Sequence, residues 1–286
     1  MKDMFRIFSR IGEKRKTSFV FASPHGCSVP AVLELTLIGG PTAVLEYGGL
    51  RWLTDPTFSP PGEYAGGLVK TTGPALSPDQ VEPIDVVLVS HDQHSDNLDP
   101  AGREFLGRAG RVLTTVEGAA RLGGNAVGLE PWSSTEIGGT DGATVTVTAV
   151  PALHGPPGSE PVTGPVIGFV LSAPGLGTVY VSGDNASLDV VREIAGRYEP
   201  IDVAVLFAGA VQLPHRFDGA YLTLSSDLAA QASIILGAST VIPLHFEGWT
   251  HFTQGADQLR AAFAGNGVTG RLLMPAPGEP VSCPPA

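Results

Sequence analysis

Cysteine is nearly absent from this chain: Cys27 and Cys283 are the only two in 286 residues, and they lie near its opposite ends. That excludes a disulfide framework and makes a reducing cytoplasm the expected compartment. Charge is scarce too, at 16 %, and leans acidic, with 17 Lys and Arg against 28 Asp and Glu for a net −11. So acidic a balance argues against a nucleic-acid partner, because such a surface must neutralise phosphates with Lys and Arg. No apolar run reaches the roughly 18 residues that a membrane-crossing helix needs, so no stable membrane insertion is expected. Residues 18–22 are too short to serve as the apolar core of a secretory signal.

Apolar residues, by contrast, make up 43 %, and 37 Gly with 25 Pro suit many short strands joined by tight turns. The basic stretch at the start carries Phe5, Ile7, Phe8 and Ile11 at roughly helical spacing. Residues 1–31 are expected to form an extension, irregular or a surface helix, ahead of one domain over 32–286. In that domain 32–38, 43–47 and 50–54 read as a meander broken by Gly-Gly pairs. The Pro- and Gly-rich 58–72 is long enough for a flap over a pocket. Further on, 84–90, 111–115, 144–150, 166–172, 178–182, 203–207, 240–244 and 271–274 read as strands. Helical patterns cover 100–109, 116–122, 188–198, 225–236 and 256–263. The two halves are alike, and two sheets packed face to face with helices outside would bury all of it.

The chemistry concentrates where strands stop. After the apolar run Val86–Val89 comes Ser90-His91-Asp92-Gln93-His94-Ser95-Asp96-Asn97-Leu98-Asp99-Pro100, whose last pair reads as a helix cap and first turn. Carboxylates crowded at the end of a buried strand repel one another, whereas a divalent cation takes imidazole and carboxylate as its natural ligands. His154 follows the strand at 144–150, Asp184 the strand at 178–182, and His245 the strand at 240–244. Any one of these histidines reads most simply as a hydrogen-bonded loop residue. Four strand ends so equipped read as one metal site. Asp55, in Thr54-Asp55-Pro56, is a turn former or a carboxylate that reaches the same end. His215, Arg216, Trp249 and His251 are candidates for a pocket lining, with Arg216 either holding an anionic substrate group or forming a surface ion pair.

The order of these motifs resembles the metallo-β-lactamase-fold hydrolases, whose signature is His-x-His-x-Asp-His followed by an isolated His, an Asp after Ser-Gly, and a final His. The likeness runs from about Leu33 to Met274, and is closest to the branch with ascorbate-phosphate lactonase and the N-acyl-phosphatidylethanolamine phospholipases. It implies a four-layer αββα sandwich. It implies a first metal on His91, His94 and His154, a bridging Asp184, and a second, weaker metal on Asp96 and His245. Asp96 would also orient the attacking water, and Asp55 would fix a histidine tautomer from behind. One or two divalent ions are expected, zinc first, with manganese or iron compatible with mixed nitrogen and oxygen donors.

The signature departs from the family in its spacing. Read one way, Gln93 replaces the second histidine. Read the other, a residue is inserted, His94 is the second histidine and Asn97 replaces the third. The latter keeps His-x-Asp intact and is preferred. The expected activity is metal-dependent hydrolysis of an ester, lactone, thioester or phosphodiester-type small molecule. The alternatives are a metal-binding scaffold that has lost turnover, suggested by Gln93 and Asn97, and a di-iron oxidoreductase of the same fold. The latter is disfavoured because no glutamate lies between His91 and Asp99. Oligomeric state is not legible in the chain.

Overall fold

Leu33, Leu35 and Leu37 are buried and alternate with half-exposed Glu34 and Thr36, the period-two pattern that gives a strand one core face. In a computed structural model describing residues 33–139, 144–198, 200–213 and 216–283, that strand opens a two-sheet sandwich. The extension expected at 1–31 lies outside the described residues. The strands are β1 (Leu33–Gly39), β2 (Thr42–Tyr47), β3 (Leu50–Thr54), β4 (Gly62–Tyr64), β5 (Leu68–Lys70), β6 (Val86–Leu88), β7 (Arg111–Thr115) and β8 (Ala126–Leu129). They continue as β9 (Ser134–Gly138), β10 (Thr144–Ala152), β11 (Val166–Ser172), β12 (Val179–Val181), β13 (Val203–Phe207), β14 (Thr240–Leu244) and β15 (Pro280–Cys283). The helices are α1 (Pro78–Val81), α2 (Pro100–Phe105), α3 (Val116–Leu122), α4 (Glu160–Thr163), α5 (Leu188–Ala195), α6 (Ser226–Ile235) and α7 (Ala256–Gly265).

One sheet has the order β15-β1-β2-β3-β6-β7-β8, the other β14-β13-β12-β11-β10-β9, and β4-β5 stands apart as a hairpin. Between the sheets Leu45, Trp52 and Val86 meet Val147, Phe169 and Phe207. On the outer face of the second sheet Val191, Ile194, Leu259 and Phe263 of α5 and α7 cover Tyr180 and Leu206. On the outer face of the first, Val81 and Phe105 cover Leu53, Val87 and Val112. The layers are therefore αββα, as the motif order implied. Strands β6, β13 and β14 are buried at every position, which follows from parallel pairing beneath helices.

Pairing directions bring the functional strand ends together. β3 and β6 are parallel, as are β12, β13 and β14. β10 and β12 both run antiparallel to β11, and so point the same way. The expected flap at 58–72 contains the hairpin β4-β5. The strand expected at 271–274 is not formed: Leu272 makes a single bridge to Val241, and the chain pairs with β1 only later, at Pro280–Cys283. No helix among the described residues is long and apolar enough to cross a membrane.

Trp52 is the largest fully buried side chain, and its indole N–H donates to the Tyr47 carbonyl at 3.0 Å. Trp52→Ala is expected to cost about 3–5 kcal/mol of stability in urea denaturation. A loss below about 1 kcal/mol would remove this residue from the inter-sheet core.

Candidate metal centre

The loop after β6 is pinned at both ends. At its start the Ser90 N–H and hydroxyl both donate to the Asp55 carboxylate, at 2.6 Å each, and the Asp55 N–H reaches the Leu88 carbonyl at 2.9 Å. At its end the Asp99 carboxylate caps α2 through Gly102 N–H and also accepts from the N–H groups of Phe58 and Ser59 and from Lys70 Nζ. Asp55 and His245 hold φ of +24° and +57°, backbone states that cost on the order of 1–3 kcal/mol for a non-glycine residue and concentrate at functional sites. Gly209 has no room for a Cβ against the His245 carbonyl, so a glycine there lets β13 and β14 bring His245 into the site.

His91, His94 and His154 place one ring nitrogen each within 4.8 Å of the others. Their tautomers follow from the hydrogen bonds behind them. The Ser90 hydroxyl spends its proton on Asp55, so at 3.0 Å it accepts from His91 Nδ1–H and leaves the Nε2 lone pair facing the site. His154 Nδ1–H donates to the Leu222 carbonyl at 2.7 Å, which frees its Nε2 likewise. Burial, then the neighbouring imidazoles His94 and His154, hold the His91 pKa well below its ordinary value; burial also lowers that of His94. Burial thus favours the neutral ring at His91 and His94. His91 Nε2 sits 2.9 Å from His94 Nδ1, a spacing that needs a shared proton or a shared cation.

Asp96, Asp184 and His245 form a second set within the same 4.8 Å limit. Asp184 touches both sets, at 3.6 Å from His154 Nε2 and 3.8 Å from His245 Nδ1. It is delivered by Gly183, whose φ of +56° and contact with Ser90 exclude a side chain. Asp96 lies 3.3 Å from His245 Nε2 and 2.8 Å from His251 Nε2. Burial pushes the Asp96 pKa up, but these two imidazoles outweigh it and hold the carboxyl well below the usual range. Asp184 Oδ2, both His245 ring nitrogens and Asn97 Oδ1 are buried without a hydrogen-bond partner. Groups left so would cost roughly 1–3 kcal/mol each. A mixed set of imidazole and carboxylate donors with unspent lone pairs fits a divalent cation of the zinc, manganese or iron type.

The remaining candidates are scattered around this centre. Gln93 is exposed, with its amide against Gly164. Asn97 turns its amide N–H₂ to Asp184 Oδ1, at 3.1 Å, and Asp55 Oδ2, at 3.3 Å. Asp55 lies behind the donors and acts on His91 through Ser90. His251 and Arg216 line the cleft over the site. Trp249 does not: it is buried behind His251, ring to ring at 6.0 Å, because the chain after β14 folds its large indole inward. His215 lies outside the described residues. Ser90 was missed from the sequence, although a hydroxyl directly before the first histidine of a ligand loop is the available signal.

A family model described as "Beta-lactamase superfamily domain" matches residues 51–246. A UPF0173 metal-dependent hydrolase of Methanoregula boonei is 30 % identical over 263 residues, covering 89 % of this chain and all of the relative. Among solved structures, a possible metal-dependent hydrolase from Veillonella parvula superposes with a TM-score of 0.76 at 19 % identity, over 87 % of this chain and 98 % of that one. An isothiocyanate hydrolase from Delia radicum gut bacteria gives 0.75 at 21 %, over 88 % and 99 %. Sandwich and paired donor sets together define a metallo-β-lactamase-fold metal-binding protein. Within that superfamily the chain belongs to the UPF0173 metal-dependent hydrolases.

The two readings of the signature separate by experiment. His94→Ala is expected to release the tightly held metal, and Gln93→Ala to leave it in place, by elemental analysis of dialysed protein. Ser90→Ala, which frees His91 to change tautomer, is expected to weaken metal affinity about tenfold or more. A His94→Ala protein with full metal content would overturn the assignment of His94.

Proposed function

We propose that this hydrolase cleaves a small ester, lactone, thioester or phosphodiester, with His91, His94 and His154 holding one metal, Asp184 shared, and Asp96 with His245 completing a weaker second position. The observation that carries the reading is the meeting of both donor sets at Asp184 beneath an open cleft that His94, Asp96 and His154 help to line. A divalent ion, zinc by first choice, supplies Lewis acidity toward the scissile carbonyl or phosphoryl oxygen and makes water acidic enough to attack near neutral pH.

The chain's own residues do the rest. Asp96, held as the carboxylate and lining the cleft, accepts a hydrogen bond from the attacking water and aims it. His251 fixes the Asp96 carboxylate from the side, and Asn97 fixes Asp184. Neither donor set contains a glutamate, which weighs against the di-iron alternative. The turned amide of Asn97 leaves the second set with one imidazole, and this motivates the scaffold alternative.

Chelation of the purified protein is expected to abolish hydrolysis across an ester, lactone, thioester and phosphodiester panel. It should also lower Tm by several degrees, since an ion held at a hundredfold its Kd adds about 2.7 kcal/mol. An unchanged Tm after metal removal verified by elemental analysis would sink the metal site. Stoichiometric metal without turnover on any substrate would favour the scaffold. His154→Ala and Asp184→Ala are expected to lose metal and activity with circular dichroism unchanged, because side chains at strand ends are not core packing. Full occupancy in the Asp184 variant would refute its shared role.

A further inference from the structure

The floor of the cleft belongs to the metal centre, but its walls do not. Leu68 of β5, Val162 of α4, then Val211, Leu213, Phe217 and Leu222 surround the opening. These come from separate segments, and the metal requires none of their side chains. Val162 is 52 % exposed, one of few large apolar side chains left in water among the described residues. A sugar or nucleotide against such walls would leave hydroxyls and amides without partners, at a cost no metal contact recovers.

Among the described residues Arg216 is the one Lys or Arg lining this cleft, and the one carboxylate there, Asp96, is already engaged by His251. Arg216 is exposed, so it stands at the rim rather than the floor. Among the described residues its guanidinium has no carboxylate, whereas Arg103, Arg108, Arg121, Arg192, Arg197 and Arg260 each have one. In a chain of net charge −11, a cation left unpaired at the mouth of an apolar cleft is suited to a charge that arrives with the ligand.

We infer that the substrate carries an apolar chain ending in an anionic group such as a carboxylate, the labile bond lying over the metal donors, the chain along the apolar walls and the anion on Arg216. This rests on the hydrolase reading above for the position of the labile bond, and on the cleft walls for the rest.

The probes are three hydroxamates, whose head groups bind metals and are not turned over: acetohydroxamate, octanohydroxamate and suberic monohydroxamate, the last being the eight-carbon chain with a terminal carboxylate. Isothermal titration into the zinc-loaded full chain measures each Kd in the parent and in Arg216→Gln. Octanohydroxamate is expected to bind at least tenfold tighter than acetohydroxamate, since each buried methylene contributes a few-fold in affinity. The affinity ratio of suberic monohydroxamate to octanohydroxamate is expected to fall about fivefold in Arg216→Gln, the size of a rim ion pair, with octanohydroxamate itself unchanged. Equal affinity of the short and long neutral probes overturns the apolar chain. An unchanged ratio in Arg216→Gln overturns the anion. A substrate panel without turnover but with these ratios intact refutes the hydrolase reading alone, and turnover without the ratios refutes this one alone.

Discussion

Asp184 sets the terms for the rest of this molecule. Its carboxylate is buried, lies within 4 Å of imidazoles from both donor sets, and leaves one oxygen without a partner. Asp96 and Asp55 share the same buried end of the sandwich, and burial, with a contribution from the Asp184 charge, pushes the Asp55 pKa up to about 7. Charges of one sign at such range are tolerable in a low-dielectric interior only with donors or cations between them. Ser90 and Asn97 supply donors to the rear, and His251 supplies one at the side. What faces the centre is left to a divalent ion. Backbone strain at Asp55 and His245 and the side-chain-free turn at Gly183 follow from the need to bring these groups to one point.

Much of this was legible in the sequence, for a physical reason. Apolar runs that end in His or Asp announce both a buried strand and a group with no packing role, so the layers and the six donor candidates could be read together. Other features depend on directions that letters do not carry. Asn97 could be placed at the third histidine position, yet which way its amide turns is decided by Asp55 and Asp184, 42 and 87 residues away. His251 meets Asp96 across 155 residues. The run Arg271–Met274 looks like a strand because it is apolar, but it is only half-buried and bridged once. The true edge strand opens with Pro280, a residue tolerated in sheets chiefly at such edges.

The cleft divides along the same line. Its floor is dictated by strand order, whereas its walls come from a hairpin, a four-residue helix and the segment after β13. Floor residues therefore speak to the type of reaction, and wall residues to what is brought to it.

The buried pair Lys70–Asp99, 3.0 Å apart with both side chains almost wholly enclosed, joins these two inventories. Asp99 ends the ligand loop, and Lys70 ends the hairpin that carries Leu68. Losing either partner would strand a charge in the interior, a defect of about 3–5 kcal/mol. Hairpin and ligand loop are consequently a single heritable unit, and a change in one selects for a matching change in the other. The segments around Val162 and Leu213 carry no such tether among the described residues. Side-chain changes at Val162 and Leu213 can proceed while the Leu222 carbonyl and Ser159 keep their hold on His154, so relatives sharing this clamp are expected to differ first at those side chains.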